Sequence, residues 1–311
     1  MNHIFNTSPI HSIRERVNGV FVPCVKSFGD FVIALNAVRR VRPQPTGSQP
    51  MVVAGQHLSP LASALGAVQD IHLIGDDTWT DTPAAFDVGK RGKVAAVRSL
   101  LELRRLLASL NDGQLMFDRL AWRERFIGGR HKLIGLPNDC DNIYLAYERG
   151  LVDLGYTVAA TEFAPTRLAQ KAVIIPGSRI LRKTVPAKVI AAIHADLLSH
   201  GIQATVIALE GEAVEVPAAV PMVTLPRRFD ALVAAVRATD IVISADSLSA
   251  HLGEYHGLPT FVATPTPNRY WLPRSCFVNG HWSSFSEVGT AGCRLHQFIS
   301  LLTDPRLIPA S

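Results

Sequence analysis

Cysteine is scarce in this 311-residue sequence, and Cys24, Cys140, Cys276 and Cys293 are scattered without a CxxC pair. Such spacing suggests neither a zinc site nor a disulfide framework, so reduced thiols in the cytoplasm are the simpler expectation. Long hydrophobic runs are lacking too. Met1 to Arg16 mixes His, Asn, Ser and Arg and holds no stretch of signal-peptide or membrane-span length, which predicts a soluble protein, peripheral at most. Aromatic residues make up 7% of the chain, and no stripe of aromatics interleaved with basic residues supports a nucleic-acid surface. No short repeat or low-complexity segment is visible. Charge is also modest: a net +5 suits an anionic partner such as phosphate, nucleic acid or a lipid surface, but does not choose among them.

What is present is apolar bulk arranged in an alternating pattern. A chain of 311 residues with 48% hydrophobic content is too long for one core, and two α/β domains are the natural expectation. Gly19–Val25 reads as a strand, followed by a tight loop and a helix with Phe31, Leu35 and Val38 at helical spacing. Met51–Ala54 and Ile71–Ile74 read as strands around a Leu58–Leu65 helix, the start of a parallel βαβα pattern. Lys90–Leu110 predicts one long amphipathic helix whose inner face carries Val94, Val97, Leu101 and Leu107. Its cations, Lys90, Arg91, Lys93, Arg98, Arg104 and Arg105, form either an ordinary solvated face or a surface for an anionic acceptor. Leu115–Phe117 and Lys132–Leu136 complete the strands of the first half, and Ile143–Leu154 reads as a helix leaving it.

Thr157–Gln170 reads as a linker, which divides the chain into an N-terminal domain, 1–165, and a C-terminal domain, 166–311. The second block offers strands at Ala172–Ile175, Ala204–Leu209, Ile241–Ser244 and Thr260–Ala263. Helices at Pro186–His200, Phe229–Ala238 and Ser247–His256 make it a doubly wound parallel domain.

Ligands of open parallel sheets bind beyond the carboxyl ends of the strands, so four loops draw notice. In Ser27-Phe28-Gly29-Asp30 the aspartate is either a helix cap or a general base facing an interdomain crevice. Pro176-Gly177-Ser178-Arg179, with Arg182 and Lys183 following, is either a basic helix entrance or a phosphate site. Asp246-Ser247-Leu248-Ser249-Ala250-His251 is either a capped helix with a core histidine or an anion site at a helix amino terminus. Thr264 to Trp271 is a proline-stiffened loop in which Arg269 and Trp271 could meet a charged or planar group.

Taken in order, these loops resemble those of the glycosyltransferase family 9 heptosyltransferases, over most of the chain. The family's Ser-x-Gly-Asp loop is similar to Ser27–Asp30, its Lys-x-Trp-Pro to Lys183-Thr184-Val185-Pro186, and its Asp-Ser/Thr-Gly-x-x-His signature to Asp246–His251. Val185 stands in place of the tryptophan and Leu248 in place of the glycine. The resemblance implies a GT-B type fold, two Rossmann-like domains facing a central cleft, with an acceptor-binding first half and a nucleotide-sugar-binding second half. It implies inverting transfer of heptose from ADP-heptose to a lipopolysaccharide-core or related acceptor, without a metal ion or any cofactor beyond the nucleotide sugar. Asp30 is then the base and Lys183 the phosphate contact, with Ser27, Gly29, Pro176, Gly177, Ser178, Arg179, Asp246, Ser247, Leu248, Ser249 and His251 holding the donor. A glutamate of the family grips the ribose, and Glu212 and Glu215 are both candidates. An anionic glycolipid acceptor would suit the basic segments Lys90–Arg105 and Arg119–Arg130 and a cytoplasmic protein touching the inner membrane, with no nucleic-acid partner. The rivals are transfer from another nucleotide sugar and a binding protein that has lost transfer.

Overall fold

The computed structural model describes residues 19–43, 49–76, 79, 81–110, 113–160, 168–266, 268–290 and 292–307. Two wholly parallel sheets carry the architecture. The first orders its strands β3-β2-β1-β4-β5, from β1 (Val20–Cys24), β2 (Met51–Gly55), β3 (Ile71–Ile74), β4 (Gln114–Phe117) and β5 (Lys132–Gly135). The second orders β11-β10-β9-β6-β7-β8, from β6 (Lys171–Ile175), β7 (Gln203–Leu209), β8 (Met222–Leu225), β9 (Ile241–Ala245), β10 (Thr260–Thr264) and β11 (Trp282–Ser284). Val22 pairs with Val52 in the first sheet, and Ile174 lies between Val206 and Ile243 in the second. The central strands are short β-branched runs buried on both faces, as helices packed above and below a parallel sheet demand.

In each sheet the first strand is central, and the chain winds outward from it in both directions. The topological switch points therefore lie between β1 and β4 and between β6 and β9, where diverging connections leave a crevice at the carboxyl ends. Residues 26–30, 176–183 and 246–249 leave β1, β6 and β9 there.

Three helices join the halves: α1 (Phe28–Arg39), α2 (Ser59–Leu65) and, leaving the first sheet, α6 (Ile143–Asp153), after α3 (Val88–Arg91), α4 (Lys93–Ala108) and α5 (Trp122–Gly128). The second half adds α7 (Ala187–Ser199), α8 (Phe229–Arg237), α9 (Leu248–Tyr255), α10 (Arg274–Asn279) and α11 (Arg294–Thr303). Every residue of α1 from Phe31 to Val38 is buried because α9 covers the side of the helix that the first sheet does not. Helix α2 packs likewise on α8, and one apolar cluster runs from Val22 and Phe31 through to Leu232, Val242 and Leu252. Each large apolar side chain fully buried there contributes about 1.5–3 kcal/mol, so the two sheets stabilise one another.

Polar contacts fix the angle between them. Asn142 is inaccessible to solvent; its side chain accepts from the Tyr144 N–H at 3.0 Å, capping α6. Its amide donates to the carbonyls of Arg269, Tyr270 and Leu272 at 3.2, 3.4 and 2.9 Å. Glu148 of α6 pairs with Arg40 at 2.5 Å and with Arg274 of the second half at 2.7 Å.

The structure differs from the sequence reading in several places. The Lys90–Leu110 helix is broken at Gly92, whose φ of 81° suits glycine, giving α3 and α4. Its inner face is Ala96, Leu100, Leu103 and Leu107, while Val94 is 79% exposed and Val97 57%. Two apolar stripes ran along that helix, and the one that packs is the one facing the first sheet. β8, β11, α5, α10 and α11 were not anticipated. β8 is short, and its first three side chains are exposed because it is an edge strand. The expected linker is tied down where it begins: Arg42 donates to Thr157 at 2.9 Å and Ala159 to Arg40 at 2.8 Å. Its remainder at 161–167, with the expected 165/166 division, lies outside the described residues. Among those residues, no helix is long and apolar enough to cross a membrane.

Candidate active site

The switch points of the two sheets face one another across a cleft of about 530 Å³. Ser27, Gly29, Gly177, Ser178, Arg179, Lys183, Glu212, Asp246, Ser247, Leu248, Ser249 and His251 all line it. Asp30 and Pro176 do not. Pro176 is buried, and its carbonyl accepts from the Val185 N–H at 3.0 Å, which turns the chain toward Lys183. Val185, where the family has tryptophan, is a core residue of the second sheet.

Asp30 lines a small adjoining hollow with Lys26, Asp118 and Tyr147, and Trp271 forms a wall common to the hollow and the cleft. Asp30 is not the helix cap. Ser27 is, accepting from the Asp30 N–H at 3.3 Å, so the Asp30 carboxylate is free of capping duty. Burial raises its pKa above the ordinary carboxylate range and Asp118 adds to the rise, against a Ser27 hydrogen bond and the charges of Lys26 and Arg119. Lys26 is itself held at 3.0 Å by Asp118 and at 3.7 Å by the wholly buried Glu124. A partly desolvated carboxylate beside an opening is the equipment of a general base.

On the opposite wall Lys183 meets Asp246 at 2.6 Å. The aspartate holds the ammonium in the cleft, at the amino terminus of α9, where unpaired N–H groups favour an anion. Behind them runs a hydroxyl chain: Ser247 to Ser249 at 2.9 Å, Ser249 to Ser244 at 2.6 Å, and Ser244 donating to the Ala245 carbonyl at 2.8 Å. Because a carbonyl can only accept, Ser244 spends its proton there, and Ser249 and Ser247 must in turn donate inward. Ser247 turns its proton outward only when a ligand oxygen takes it. Leu248 is the first residue of α9, half-buried against the shared core, and its side chain narrows the approach to that helix end.

Glu212 and Gly177 form one unit. The Glu212 carboxylate accepts from the Leu209 N–H at 3.1 Å and lies over Gly177, where a Cβ would stand 2.2 Å from Oε2. Glu215 is exposed and outside the cleft, so the geometry separates the two candidates. His251 is buried, its Nδ1 3.0 Å from the Tyr144 hydroxyl of the first half. Burial lowers its pKa to about 4, with Asp246 opposing and Lys183 assisting, so the ring is neutral near pH 7.

The cleft also holds residues that sequence reading passed over. Phe28 and Phe229, one from each half, meet across it with ring centroids 4.8 Å apart. Arg227 and Arg228 line it as well, beside Glu212. Their signal was hidden because β8 was not recognised, and so the loop after it was not seen as a strand's carboxyl end. The sequence's one Asp-x-Asp triplet, Asp139-Cys140-Asp141, lies away from the cleft, with Asp139 exposed and paired to Arg149 at 2.8 Å.

No family model matches this sequence, and no curated protein does. Solved structures do. The Escherichia coli heptosyltransferase WaaC, determined with ADP, aligns at a TM-score of 0.53 and 14% identity over 86% of this chain and 92% of its own. The glycosyl transferase family 9 protein of Veillonella parvula aligns at 0.55 and 14% over 86% of each. The E. coli ADP-heptose lps heptosyltransferase II aligns at 0.51 and 14% over 86% and 89%. The fold is that of the heptosyltransferases. At this identity the likeness speaks of architecture, two parallel-sheet domains about a cleft of GT-B type, while the side chains in the cleft must argue for the chemistry.

Proposed function

We propose that this chain is an inverting glycosyltransferase of the heptosyltransferase kind, with a nucleotide sugar, ADP-heptose, as donor. The observation that carries the reading is convergence. A base-like carboxylate from the first half, in the adjoining hollow, and a lysine beside a helix amino terminus from the second, in the cleft, lie on either side of the shared wall of Trp271.

In this reaction Asp30 takes the proton from an acceptor hydroxyl as its oxygen attacks the anomeric carbon. The bond from that carbon to the diphosphate oxygen breaks with inversion, and the electron pair leaves with the nucleoside diphosphate. Lys183, the N–H groups of α9 and an outward-turned Ser247 neutralise the charge that develops. Glu212 accepts from the ribose hydroxyls. Neutral His251, held by Tyr144, positions the α9 turn against Gly29, whose Cβ would stand 3.5 Å from the ring. The cations at the cleft and the helix end supply charge neutralisation from the protein itself.

The acceptor is a lipopolysaccharide-core or related anionic glycan. Arg98, Arg104 and Arg105 on α4 and Arg125 on α5 provide basic surface on the first half for it, at the cytoplasmic face of the inner membrane. The division of labour follows the sheets, acceptor on 1–165 and donor on 166–311.

The test is calorimetric titration with ADP, GDP, UDP and their sugar conjugates, followed by a transfer assay. ADP-selective binding weakened by Lys183→Ala, with transfer lost in Asp30→Ala, is the expected result. Selectivity for another nucleotide would change the sugar and keep the mechanism. Normal turnover by Asp30→Ala would remove the mechanism. Leu248 at the head of α9 favours one second reading, a protein that binds nucleotide without transfer, which ADP binding with no turnover toward any acceptor would support.

A further inference from the structure

Away from the cleft, α7 carries Asp196 and is capped at its carboxyl end by His200, four residues on, and α11 sets His296 opposite them. The His296 Nδ1 lies 3.1 Å from the Asp196 carboxylate, and the two imidazole rings stand with centroids 4.9 Å apart. One ligand atom from each of the three residues falls within 4.8 Å of the others.

We propose that Asp196, His200 and His296 form a binding site for one divalent transition-metal ion of the zinc class. Two imidazoles and a carboxylate, with water in a fourth position, are an established three-ligand zinc set, whereas magnesium and calcium take oxygen ligands. Bond lengths of about 2.0–2.2 Å place the ligand atoms of a tetrahedral ion roughly 3.4 Å apart. The Asp196–His296 separation already meets that, and His296, with its side chain 62% exposed, has the freedom to swing the remaining distance. His200 is prepared for ligation from behind. Its Nδ1 stands 3.6 Å from the Asp196 carboxylate and 2.9 Å from the Asp196 carbonyl, and its Nε2 has Ser300 Oγ at 3.5 Å, an outer hydrogen bond of the kind that metal-binding histidines commonly make.

The ion would tie α11 to α7. Leu295, Phe298, Ile299 and Leu302 on the inner face of α11 are core residues of the second sheet, so such a tie stabilises the packing of that domain from outside. It is independent of any donor or acceptor.

The experiment is titration of the full-length protein with Zn2+ by calorimetry and with Co2+ by visible absorption, together with thermal unfolding with and without Zn2+. The wild type is expected to take up one ion with the absorption bands of a four-coordinate cobalt site and to gain thermal stability. His200→Ala, His296→Ala and Asp196→Asn should each weaken binding at least tenfold and lose the zinc-induced rise in melting temperature. His194→Ala, on the same helix outside the cluster, should behave as wild type. His296→Gln preserves the exposed surface and serves if a truncation harms folding. No zinc uptake by the wild type, or equal affinity in the wild type and His296→Gln, would overturn the assignment.

Discussion

Gly177→Ala probes the unit that joins the loop after β6 to Glu212 in the cleft. Gly177 is not among the glycines with positive φ, so alanine meets no backbone penalty, and restricting the unfolded chain would favour it by about 0.4–1 kcal/mol. The obstacle is contact. An added Cβ would stand 2.2 Å from Oε2, 2.7 Å from Cδ and 2.9 Å from Oε1 of Glu212, all inside van der Waals range. The carboxylate is the end of a flexible side chain, so it swings away and gives up its hydrogen bond from the Leu209 N–H. A hydrogen bond to a charged group is worth about 1.5–3 kcal/mol, which leaves a net destabilisation of roughly 1–2 kcal/mol. That is a fall of a few degrees in melting temperature. On the proposed reading, in which Glu212 accepts from the ribose, the displacement should cost ADP about 10- to 100-fold in affinity. Thermal unfolding and calorimetry on wild type, Gly177→Ala, Glu212→Ala and the double variant complete the cycle. With Glu212 absent, Gly177→Ala should be neutral or slightly stabilising. If it destabilises equally in both backgrounds, the reasoning fails, because the cost would then lie in the backbone and not in the carboxylate.

Three further outcomes are expected. In Lys26→Met the acidic limb of the transfer rate moves to higher pH, since removing a cation near Asp30 further favours its protonated form; an unmoved limb would show that Asp30 is not the titrating base. His251 titrates near 4 when folded and near 6.5 when exposed, so below about pH 6.5 the unfolded state binds the extra proton. Stability should therefore be complete above that pH and fall by up to about 3 kcal/mol toward pH 4, a slope that denaturant unfolding at several pH values would show reduced in His251→Asn. Asn142→Ala removes a helix cap and the amide that donates to three carbonyls of the second half, at a cost of roughly 2–4 kcal/mol in urea unfolding; a change below about 0.5 kcal/mol would deny it the interdomain role.

Much of the fold was legible because its central strands are buried on both faces. Runs such as Ala172–Ile175 and Ile241–Ser244 have one structural solution between helices, and each announces the loop that follows it. The loops at 27–30, 176–183 and 246–251 were singled out in this way, and the structure gathers them at the cleft and the hollow beside it. Edge strands escape such reading: β8 is a four-residue run, Met222–Leu225, whose apolar side chains are largely exposed at the sheet edge, and Arg227 and Arg228 went unnoticed with it.

Sequence alone determined the alternating parallel architecture and the residue types of the loops, because these depend on local periodicity and composition. Only the tertiary structure decided which stripe of α4 turns inward, that Ser27 frees Asp30 from capping, that Glu212 and not Glu215 enters the cleft, and that Trp271 and Asn142 join the two halves. Each of these depends on contacts between segments far apart in the chain, and no local pattern encodes which of several compatible neighbours will arrive.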